Sequence, residues 1–512
     1  MRLKIINRIL FLFFFALYLA VGYYIACVLQ IYHSDAISRT ALAFFTIFGR
    51  NPHLGAIGFV WQPLPSLLQI PLLLILRPLG LIMMAGPIVT AIAGALSVLV
   101  VYKIGLLINP SKKLLPLLIS LLFGLNPLII LYSAIGTSEM IFITSLLISS
   151  YYLVKWFFQM KQLDLILCSI FVALSFWSRY ESLPFFAGAI VLLLSFSLYK
   201  KLAYKEMEST SIQFVLPFVF SLSFWILINW VIMKNPFYFL NSIYSNASLT
   251  INLRANPQFL EYSYHSFINS FIYVLKRVFL LAPIIVALPF ILLPLILRIK
   301  KKAEDLFLFL FLTFPYFAIL LFHIYQLYSG QSFGWLRFYI YAIIMGTLTV
   351  IFVIKKQKYL IIISILLLLF GTFTTGYAMT RSDLGKEEFS FVQKILNPSA
   401  NLALEEYLDQ RSVSTLMNNT KGLILVDTDK GFSIPLFAKN PERYVITSDL
   451  DYVSIVKKYY KSVDWVIVKK PAPEDFTLNK IYYYYPKIWD GKAPHIHLYK
   501  QVYSWKIFRV DK

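Results

Sequence analysis

The chain has 512 residues, of which 59% are hydrophobic and 14% are charged, and its formal net charge is +22 at pH 7. Soluble domains average about 45–50% apolar and about 25% charged residues, so this composition excludes an ordinary soluble protein. The basic residues cluster at the ends of apolar runs, where they face anionic lipid, and no basic domain with interleaved aromatic residues indicates a nucleic-acid partner.

The first apolar run, residues 9–31, follows the basic start "MRLKIINR". This run is longer than the apolar core of a signal peptide, and no small-residue cleavage site is evident. It therefore predicts a retained first transmembrane helix.

Eleven apolar runs have the length and composition of transmembrane helices. They lie at 9–31, 80–108, 114–131, 139–155, 164–178, 184–198, 211–233, 278–297, 306–327, 338–354 and 359–378. Every second connection between them is rich in lysine and arginine. Because basic residues stay on the cytoplasmic side, the N-terminus is predicted to be cytoplasmic and the end of the eleventh helix to lie outside.

One further apolar run, residues 63–76, is predicted not to cross the membrane. It contains Pro63, Pro65 and Pro71, which interrupt helical hydrogen bonding. A short helix that lies in the membrane interface fits this composition. If the run did cross, every later connection would change side and the distribution of basic residues would be reversed.

The character of the chain changes after residue 380, where no later run is long enough to span a membrane. Apolar segments typical of strands, "GLILVDT", "RYVITS", "VDWVIVKK" and "HIHLYKQVYSWKIFRV", alternate with helical segments such as "DYVSIVKKYY". The predicted fold is therefore a polytopic α-helical membrane domain, residues 1–380, followed by an extracytoplasmic α/β domain, residues 381–512. The sequence leaves the role of this second domain open.

In this topology the unusual polar residues collect on the outer side, in the loops 32–62 and 234–277 and in three short connections. Charges that border the hydrocarbon are costly, and they usually pair or line a wet cavity. Arginine offers a planar fork for phosphate oxygens, and an aspartate can accept a proton from an attacking hydroxyl. These residue types predict a site for a phosphate-bearing substrate with a proton-transfer step. The candidates are Asp35, Arg39, Trp61, Glu139, Arg179, Tyr180, Glu181, Arg337 and Tyr339.

Each candidate also has a purely structural interpretation. Arg179 and Glu181 could pair locally, and Arg39 could form an i,i+4 pair with Asp35. Asp35 itself is harder to explain in this way, because an acid one turn past a membrane exit contributes little to insertion.

Two further patterns resemble metal sites. The histidines His33, His53 and His265 could chelate a metal across loops, but their spacing defines no ligand set, so no metal is assigned and a divalent cation stays an open alternative. The segment "LVDTD", residues 425–429, has the Asp-x-Asp pattern of metal-dependent enzymes that use sugar nucleotides. No nucleotide-binding βαβ unit precedes it, and a turn at the end of a strand is the preferred interpretation.

Taken in order, these segments resemble the membrane glycosyltransferases of the GT-C fold, which include the protein O-mannosyltransferases and the aminoarabinose transferases of lipid A. The resemblance covers most of residues 1–380. It rests on Asp35 in the first outer loop, followed by "WQPLPSLLQIP", "RPLGLIMMAGPIVTAIAGALSVLVVYKIG", "GTSEM", "SRYESL" and "GWLRFY". Two departures stand out: the family often has two adjacent acids where Ala36 follows Asp35, and two prolines where this chain has Gln62-Pro63.

The resemblance implies transfer of a sugar, with inversion, from a polyprenyl-phosphate donor to an acceptor hydroxyl on the outer face of the membrane. Asp35 would be the general base, and Arg337, with Arg179 as second choice, would bind the departing phosphate. Glu139 would orient the acceptor or help to hold a cation. The acceptor could be a glycan, a lipid or a protein, and the inner membrane of a bacterium is the expected location.

Functions of two other classes compete with this interpretation. A flippase or transporter of lipid-linked sugars would also have many helices and buried arginines, but transporters tend to show paired repeats and polar residues at mid-membrane. A non-catalytic membrane assembly protein is the second alternative, and it would tolerate the loss of Asp35.

Overall fold

The structure is a computed structural model that describes residues 2–242, 245, 248, 250, 263–287, 303–356, 360–399, 406–472 and 475–511. The chain divides into two compact units. The helical unit consists of Met1–Leu29, Val60–Leu64 and Pro87–Pro398, and the sheet unit consists of Gln30–Phe59, Pro65–Gly86 and Ser399–Lys512. The sheet unit thus combines most of the predicted first outer loop with the C-terminal segment. The limits 1–380 and 381–512 stay predictions.

Long apolar helices make up the helical unit. Their bounds are Arg2–Tyr23, Ala85–Ile108, Leu114–Gly124, Pro127–Ala134, Glu139–Gln159, Gln162–Phe176, Ser182–Tyr199, Tyr204–Met233, Phe267–Leu281, Ala303–Tyr328, Tyr341–Lys356 and Ile361–Met379, followed by the polar helix Glu387–Leu396. Within the described residues, eight helical segments are long and apolar enough to cross a membrane, or nine when one bent pair is counted as a span. These segments confirm the predicted polytopic helical fold. Half of the predicted crossing at 278–297, residues 288–297, lies outside the described residues.

The third predicted crossing is bent by 63° between the helices Leu114–Gly124 and Pro127–Ala134. The second of these begins at Pro127, which lacks an amide donor and therefore suits the first position of a helix. The Asn126 side chain caps this helix by accepting a hydrogen bond from the Leu128 amide at 3.0 Å. The run that was predicted as one crossing therefore contains a sharp break.

The fifth predicted crossing forms a helix of only 15 residues, Gln162–Phe176. Its first turn carries Asp164, which pairs with Lys155 at 2.7 Å, near the C-terminal end of the neighbouring helix. Arg179, just beyond its last turn, pairs at 2.6 Å with Glu139, at the N-terminal end of the same neighbour. The short helix therefore runs antiparallel along most of its 21-residue neighbour and connects the two ends of the helical unit.

The apolar run 63–76 forms two short helices, Leu64–Leu67 and Ile70–Leu76. The Leu64 amide donates to the Trp177 carbonyl at 3.0 Å, and the Arg77 guanidinium lies 4.2 Å from the centre of the Phe48 ring. Phe48 belongs to the first predicted outer loop, and Trp177 lies at the end of the fifth predicted crossing. That this segment does not cross the membrane stays a prediction.

A five-stranded sheet forms the centre of the C-terminal segment. Strands β1 (Ile424–Val426), β2 (Tyr444–Val445) and β3 (Trp465–Lys469) are parallel, and β4 (Ile496–Val502) and β5 (Trp505–Val510) form an antiparallel hairpin. The strand order is β2-β1-β3-β5-β4, with β5 antiparallel to β3. Each strand lies within a segment that the sequence predicts as a strand, so the α/β character of this part is confirmed.

Helices cover the sheet and pack on its apolar side chains. Val466 of β3 and Phe508 of β5 are fully buried among these helices, and apolar burial of this kind is the main source of stability in such a layer. The helices of the C-terminal segment are Glu406–Met417, Thr428–Gly431, Ser433–Leu436, Tyr452–Lys457, Tyr459–Ser462, Asp475–Leu478 and Lys480–Tyr484. The first outer loop adds the helix Ser34–Phe48 to the same unit.

Candidate functional site

A buried polar cluster at one end of the helical unit is built on Glu139. Glu139 is the first residue of its helix and is 2% exposed. Its Oε1 accepts hydrogen bonds from Arg179 Nη1 at 2.6 Å and from Arg337 Nη1 at 3.4 Å. The amide groups of the first helical turn also favour a negative charge at this position. One carboxylate therefore joins two of the predicted arginines.

Arg179 has a second carboxylate partner close by in the chain. Its Nε and Nη2 donate to Glu181 Oε1 at 3.0 and 2.6 Å, and its Nη1 donates to Ser138 Oγ at 3.2 Å. Burial would raise the pKa of Glu181, but the Arg179 guanidinium outweighs burial and lowers that pKa below its ordinary value. Local pairing of Arg179 with Glu181 is thus present together with the contact to Glu139.

Arg337 is the second cation of the cluster, and its contacts are longer. It lies in the 3-10 turn Leu336–Tyr339 and is 4% exposed. Its Nε is 3.1 Å from Glu387 Oε2, and its Nη1 is 3.4 Å from Glu139, whereas Arg179 approaches its partners to 2.6 Å. Of the two guanidinium groups, Arg337 is therefore better placed to exchange a carboxylate for an anionic ligand.

Two adjacent acids, Glu387 and Glu388, complete the cluster, and sequence reasoning missed both. Glu388 is 1% exposed, and its Oε1 accepts a hydrogen bond from the Tyr132 hydroxyl at 2.5 Å. Burial raises the pKa of Glu388 to about 7, although the Tyr132 hydrogen bond opposes this shift. The available signal was an acidic pair shortly after the last apolar run, on the same predicted side as Arg337.

A stack of rings flanks the two arginines. The rings, in order, are Phe333, Trp335, Phe338, His323 and Tyr341, with centre-to-centre distances of 4.6, 5.6, 5.6 and 5.9 Å. The Arg337 guanidinium lies 4.6 Å from the centre of Trp335 and 5.4 Å from that of Phe338. Aromatic faces at this distance attract a guanidinium and limit its tilt. His323 could have been noticed in the sequence, because an ionisable residue inside an apolar span indicates function.

Three aromatic candidates have other surroundings. The Tyr180 hydroxyl donates to the Val60 carbonyl at 2.9 Å, which ties two predicted outer connections together. Tyr339 is buried, with its ring centre 6.4 Å from that of Tyr273. Trp61 is 42% exposed. Tyr180 and Tyr339 thus support the frame of the cluster, and Trp61 presents an aromatic surface.

The remaining candidates, Asp35 and Arg39, lie in the sheet unit, on the helix Ser34–Phe48. Asp35 is exposed in the first turn, and its amide donates to Nδ1 of the capping His33 at 3.1 Å. A carboxylate at this position also stabilises the start of the helix through the helix dipole. Asp35 therefore has a local structural role beside the predicted role as a base.

The predicted metal candidates do not come together. His33 caps a helix, His53 Nδ1 lies 2.6 Å from the Asn51 carbonyl, and the His265 ring lies 3.9 Å from that of Tyr264. Among the residues that the structure describes, no group of three or more His, Cys, Asp or Glu side chains could hold a metal ion. A ligand set is therefore not assigned to these histidines.

The Asp-x-Asp pattern of the C-terminal segment lies in a turn after β1. The Asp427 side chain accepts hydrogen bonds from the Asp429 amide and from the Tyr452 hydroxyl, both at 2.9 Å. Burial raises the pKa of Asp427 to about 6, although these hydrogen bonds oppose the shift. The aspartate caps the helix Thr428–Gly431, in agreement with a turn at the end of a strand.

The opposite end of the helical unit is rich in lysine. Lys112 Nζ donates to the Ile354 carbonyl at 2.8 Å, and Lys200 forms an ion pair with Glu304. The pair of Lys155 with Asp164 belongs to the same end. All these lysines lie on connections that the sequence predicts to be cytoplasmic.

Comparisons with known proteins return distant structural similarities. No protein-family model matches the chain, and no curated protein matches it. The oligosaccharyltransferase of Archaeoglobus fulgidus in its apo form aligns with a TM-score of 0.43 and 11% identity, over 94% of this chain and 71% of that chain. Its complex with Zn and sulfate aligns with a TM-score of 0.40 and 10% identity, over 97% and 73% of the two chains. Similarity at this level assigns neither activity nor substrate to this chain.

Proposed function

We propose that this chain is a membrane glycosyltransferase, which moves a sugar from a polyprenyl-phosphate donor to an acceptor hydroxyl on the outer face of a membrane, with inversion. The observation that carries the proposal is the cluster of Glu139, Arg179, Glu181, Arg337 and Glu387 at the helix ends, in which the side chains of Glu139 and Arg337 are only 2% and 4% exposed. Buried charges are costly in a membrane protein, and those that persist usually serve a ligand or a reaction.

Arg337 is the proposed ligand of the donor phosphate. Its contacts with Glu139 and Glu387, at 3.4 and 3.1 Å, leave its guanidinium able to take phosphate oxygens as alternative partners. Trp335 and Phe338 keep the guanidinium plane oriented. Negative charge grows on the phosphate as its bond to the anomeric carbon breaks, and a fixed guanidinium in a site of low polarity stabilises that charge.

Asp35 is the proposed base. Its carboxylate accepts the proton of the acceptor hydroxyl while the hydroxyl oxygen attacks the anomeric carbon from the face opposite the phosphate. The new carbon–oxygen bond forms as the bond to the phosphate breaks, so the configuration inverts and the electron pair leaves with the phosphate. The contacts of Glu139 favour a role in holding Arg179 and Arg337 over a role in orienting the acceptor.

The cluster is proposed to lie on the outer side of the membrane and the lysine end in the cytoplasm, since basic residues orient membrane proteins. A bacterial inner membrane is the proposed location. No nucleotide-sugar pool exists outside a cell, so a donor at that face would have to be carried by a lipid. The position of the charges at helix ends, and not at mid-span, favours a transferase over a flippase.

The test uses the full chain in lipid nanodiscs with radiolabelled polyprenyl-phosphate hexoses and pentoses. Water supplies the accepting hydroxyl, and the free sugar and the polyprenyl phosphate released are measured. Asp35→Asn is expected to lower turnover at least about 100-fold, because the base is lost, while binding of polyprenyl phosphate is retained. Arg381→Ala is the control, since Arg381 forms an exposed ion pair with Asp383. Turnover in nanodiscs excludes a flippase, which needs two compartments. Unchanged turnover in Asp35→Asn would show that the proposal is wrong.

Sidedness is tested with a membrane-impermeant thiol reagent on whole cells. In a background without Cys27, the variant Arg381→Cys is expected to react from outside, and the variant Lys200→Cys only after lysis. The reverse pattern would place the cluster in the cytoplasm and remove the reason for a lipid-linked donor.

A further inference from the structure

The residues just before the helix Ser34–Phe48 are bound to the C-terminal segment within the sheet unit. Arg411 Nη1 donates to Gln30 Oε1 at 2.7 Å. The centres of the Tyr32 and Tyr407 rings are 6.5 Å apart. These contacts hold the backbone that immediately precedes Asp35.

The end of the same helix is bound at a second place. Arg50 Nε donates to Asp449 Oδ2 at 3.0 Å, and Arg50 Nη2 pairs with Asp451. The neighbouring Asn51 Nδ2 also donates to Asp451 Oδ1, at 3.2 Å. The Arg50 and Asp449 side chains are 18% and 2% exposed, so this ion pair is better shielded from water than a surface pair.

Tyr407 reaches the first turn of the helix itself. Burial together with the nearby Asp35 carboxylate raises the pKa of Tyr407, and the Ser34 side chain opposes this shift. The tyrosine is therefore a neutral hydrogen-bonding group beside the proposed base. Its ring also packs 6.0 Å from Phe432, which fixes its position in the C-terminal segment.

We propose that the C-terminal segment acts as a two-point clamp that positions Asp35. Tyr407 and Arg411 hold the start of the helix Ser34–Phe48, and Asp449 and Asp451 hold its end through Arg50. The inference rests on the proposed role of Asp35 as a base. A helix that is fixed at both ends can neither rotate nor slide, and catalysis depends steeply on such precision.

The clamp gives the C-terminal segment a defined role in the reaction. Arg50 and Tyr407 are positioning residues, because they act through the helix that carries Asp35. The donor phosphate is proposed to bind at Arg337, which is not one of the clamp residues. Loss of the clamp should therefore lower turnover and leave the binding of polyprenyl phosphate unchanged, whereas general unfolding would reduce both.

The first experiment needs no substrate. Hydrogen–deuterium exchange of the full chain is measured by mass spectrometry on peptides from Ser34–Phe48 and from β3. Arg50→Ala and Tyr407→Ala are expected to speed exchange in the helix about tenfold or more, with β3 still protected. Lys506→Ala is the matched control, since Lys506 contacts Trp489 elsewhere in the C-terminal segment. Unchanged exchange in the helix of both clamp variants would overturn the proposal.

A milder variant covers the case in which Arg50→Ala unfolds the C-terminal segment, which would expose β3 as well. Asp451→Asn weakens the clamp at a side chain that is 45% exposed and keeps the buried Asp449 paired. It is expected to loosen the helix to a smaller degree than Arg50→Ala, with β3 unaffected. If exchange of Ser34–Phe48 does not change in this folded variant either, no clamp acts at Arg50.

The second experiment compares turnover with affinity for polyprenyl phosphate in the same variants. Tyr407→Ala and Arg50→Ala are expected to lower kcat about 10- to 100-fold with the Kd of polyprenyl phosphate unchanged. Equal losses in kcat and affinity would contradict a positioning role. Full activity of Asp35→Asn would instead overturn the proposed function and leave the exchange result standing, so the two failures can be told apart.

Discussion

The two ends of the helical unit carry charge in opposite ways. At the lysine end, Lys200 and Glu304 pair at the surface, with side chains 37% and 59% exposed. At the other end, Arg179, Arg337 and Glu139 share one cluster, with side chains 14%, 4% and 2% exposed. Exposed lysines suit the border between membrane and cytoplasm, where they orient the protein. Arginines that are shielded from water are not needed for orientation, because exposed lysines orient a protein at a lower desolvation cost.

The contrast shows that the N–O distance of an ion pair does not tell whether its role is structural or functional. Lys155–Asp164 and Arg179–Glu139 are almost equally short, at 2.7 and 2.6 Å. The two pairs differ in the number of partners, since Glu139 serves two arginines at once. Breaking an exposed pair costs little, whereas removing one member of a buried group leaves an uncompensated charge.

The largest effect is expected for Glu139→Ala, because two buried arginines lose their common partner. The free energy of unfolding should fall by about 3–5 kcal/mol, as for other buried pairs from which one member is removed. The matched control is Glu304→Ala at the lysine end, with an expected loss below about 1 kcal/mol. Thermal unfolding in detergent, followed by tryptophan fluorescence, measures both. Equal losses of free energy of unfolding in the two variants would show that the two ends do not differ in the cost of removing an acid.

Arg337→Gln is expected to weaken binding of polyprenyl phosphate about 10- to 100-fold, since a hydrogen bond to a charged group contributes about 1.5–3 kcal/mol. Arg179→Gln should weaken it less, because Arg179 is held at 2.6 Å by both Glu139 and Glu181. Titration of the purified variants with polyprenyl phosphate provides the two affinities. A larger loss of affinity for Arg179→Gln would show that Arg179, and not Arg337, is the main ligand of the phosphate.

The pH dependence of stability should differ between the wild type and Glu388→Gln. The pKa of Glu388 is raised from 4.5 to about 7 in the folded chain, so its protonated form is favoured by folding. Its stabilising contribution is complete below pH 4.5 and is lost as the pH rises through about 7. Melting temperatures between these limits should therefore fall more steeply in the wild type than in Glu388→Gln, which has no proton to lose. Identical slopes would mean that Glu388 is ionised in the folded protein.

The smallest effect is expected at the lysine end. Lys200→Ala should change the free energy of unfolding by less than about 1 kcal/mol, and high salt should abolish the difference, because exposed pairs are screened. Melting temperatures of the two proteins at low and high salt measure this effect. A large, salt-independent loss would show that the lysine end is as desolvated as the cluster.

The sequence was sufficient for the apolar helices, the α/β character of the C-terminal segment and the pairing of Arg179 with Glu181, because each follows from local composition. It also selected Glu139 and Arg337, since charges next to apolar runs are rare and conspicuous. The break at Asn126-Pro127 was overlooked although its signal is local: a capping residue followed by a proline at the start of a helix. The bend within the predicted crossing was missed because hydrophobicity alone does not register the cap.

Other features depend on contacts between distant parts of the chain. Tyr132 appears in the sequence as one more aromatic residue in an apolar run, and only the fold brings its hydroxyl to Glu388. Glu387 lies in a polar stretch that resembles ordinary surface, until Arg337 is found beside it. The contact between Arg50 and Asp449 joins residues that are 399 positions apart, and no periodicity or spacing could predict it.

The brevity of the helix Gln162–Phe176 has a consequence for the lipid around it. Its 15 residues span about 22 Å, whereas the hydrocarbon core of a bilayer is about 30 Å thick. The side chains of Ile170 and Leu174 on this helix are exposed, so part of its surface is available to lipid. Such hydrophobic mismatch is relieved by compression of the neighbouring acyl chains or by entry of water. The bilayer is therefore expected to be thinner beside this helix. The phosphates of nearby lipids would lie closer to the middle of the membrane there than elsewhere around the protein.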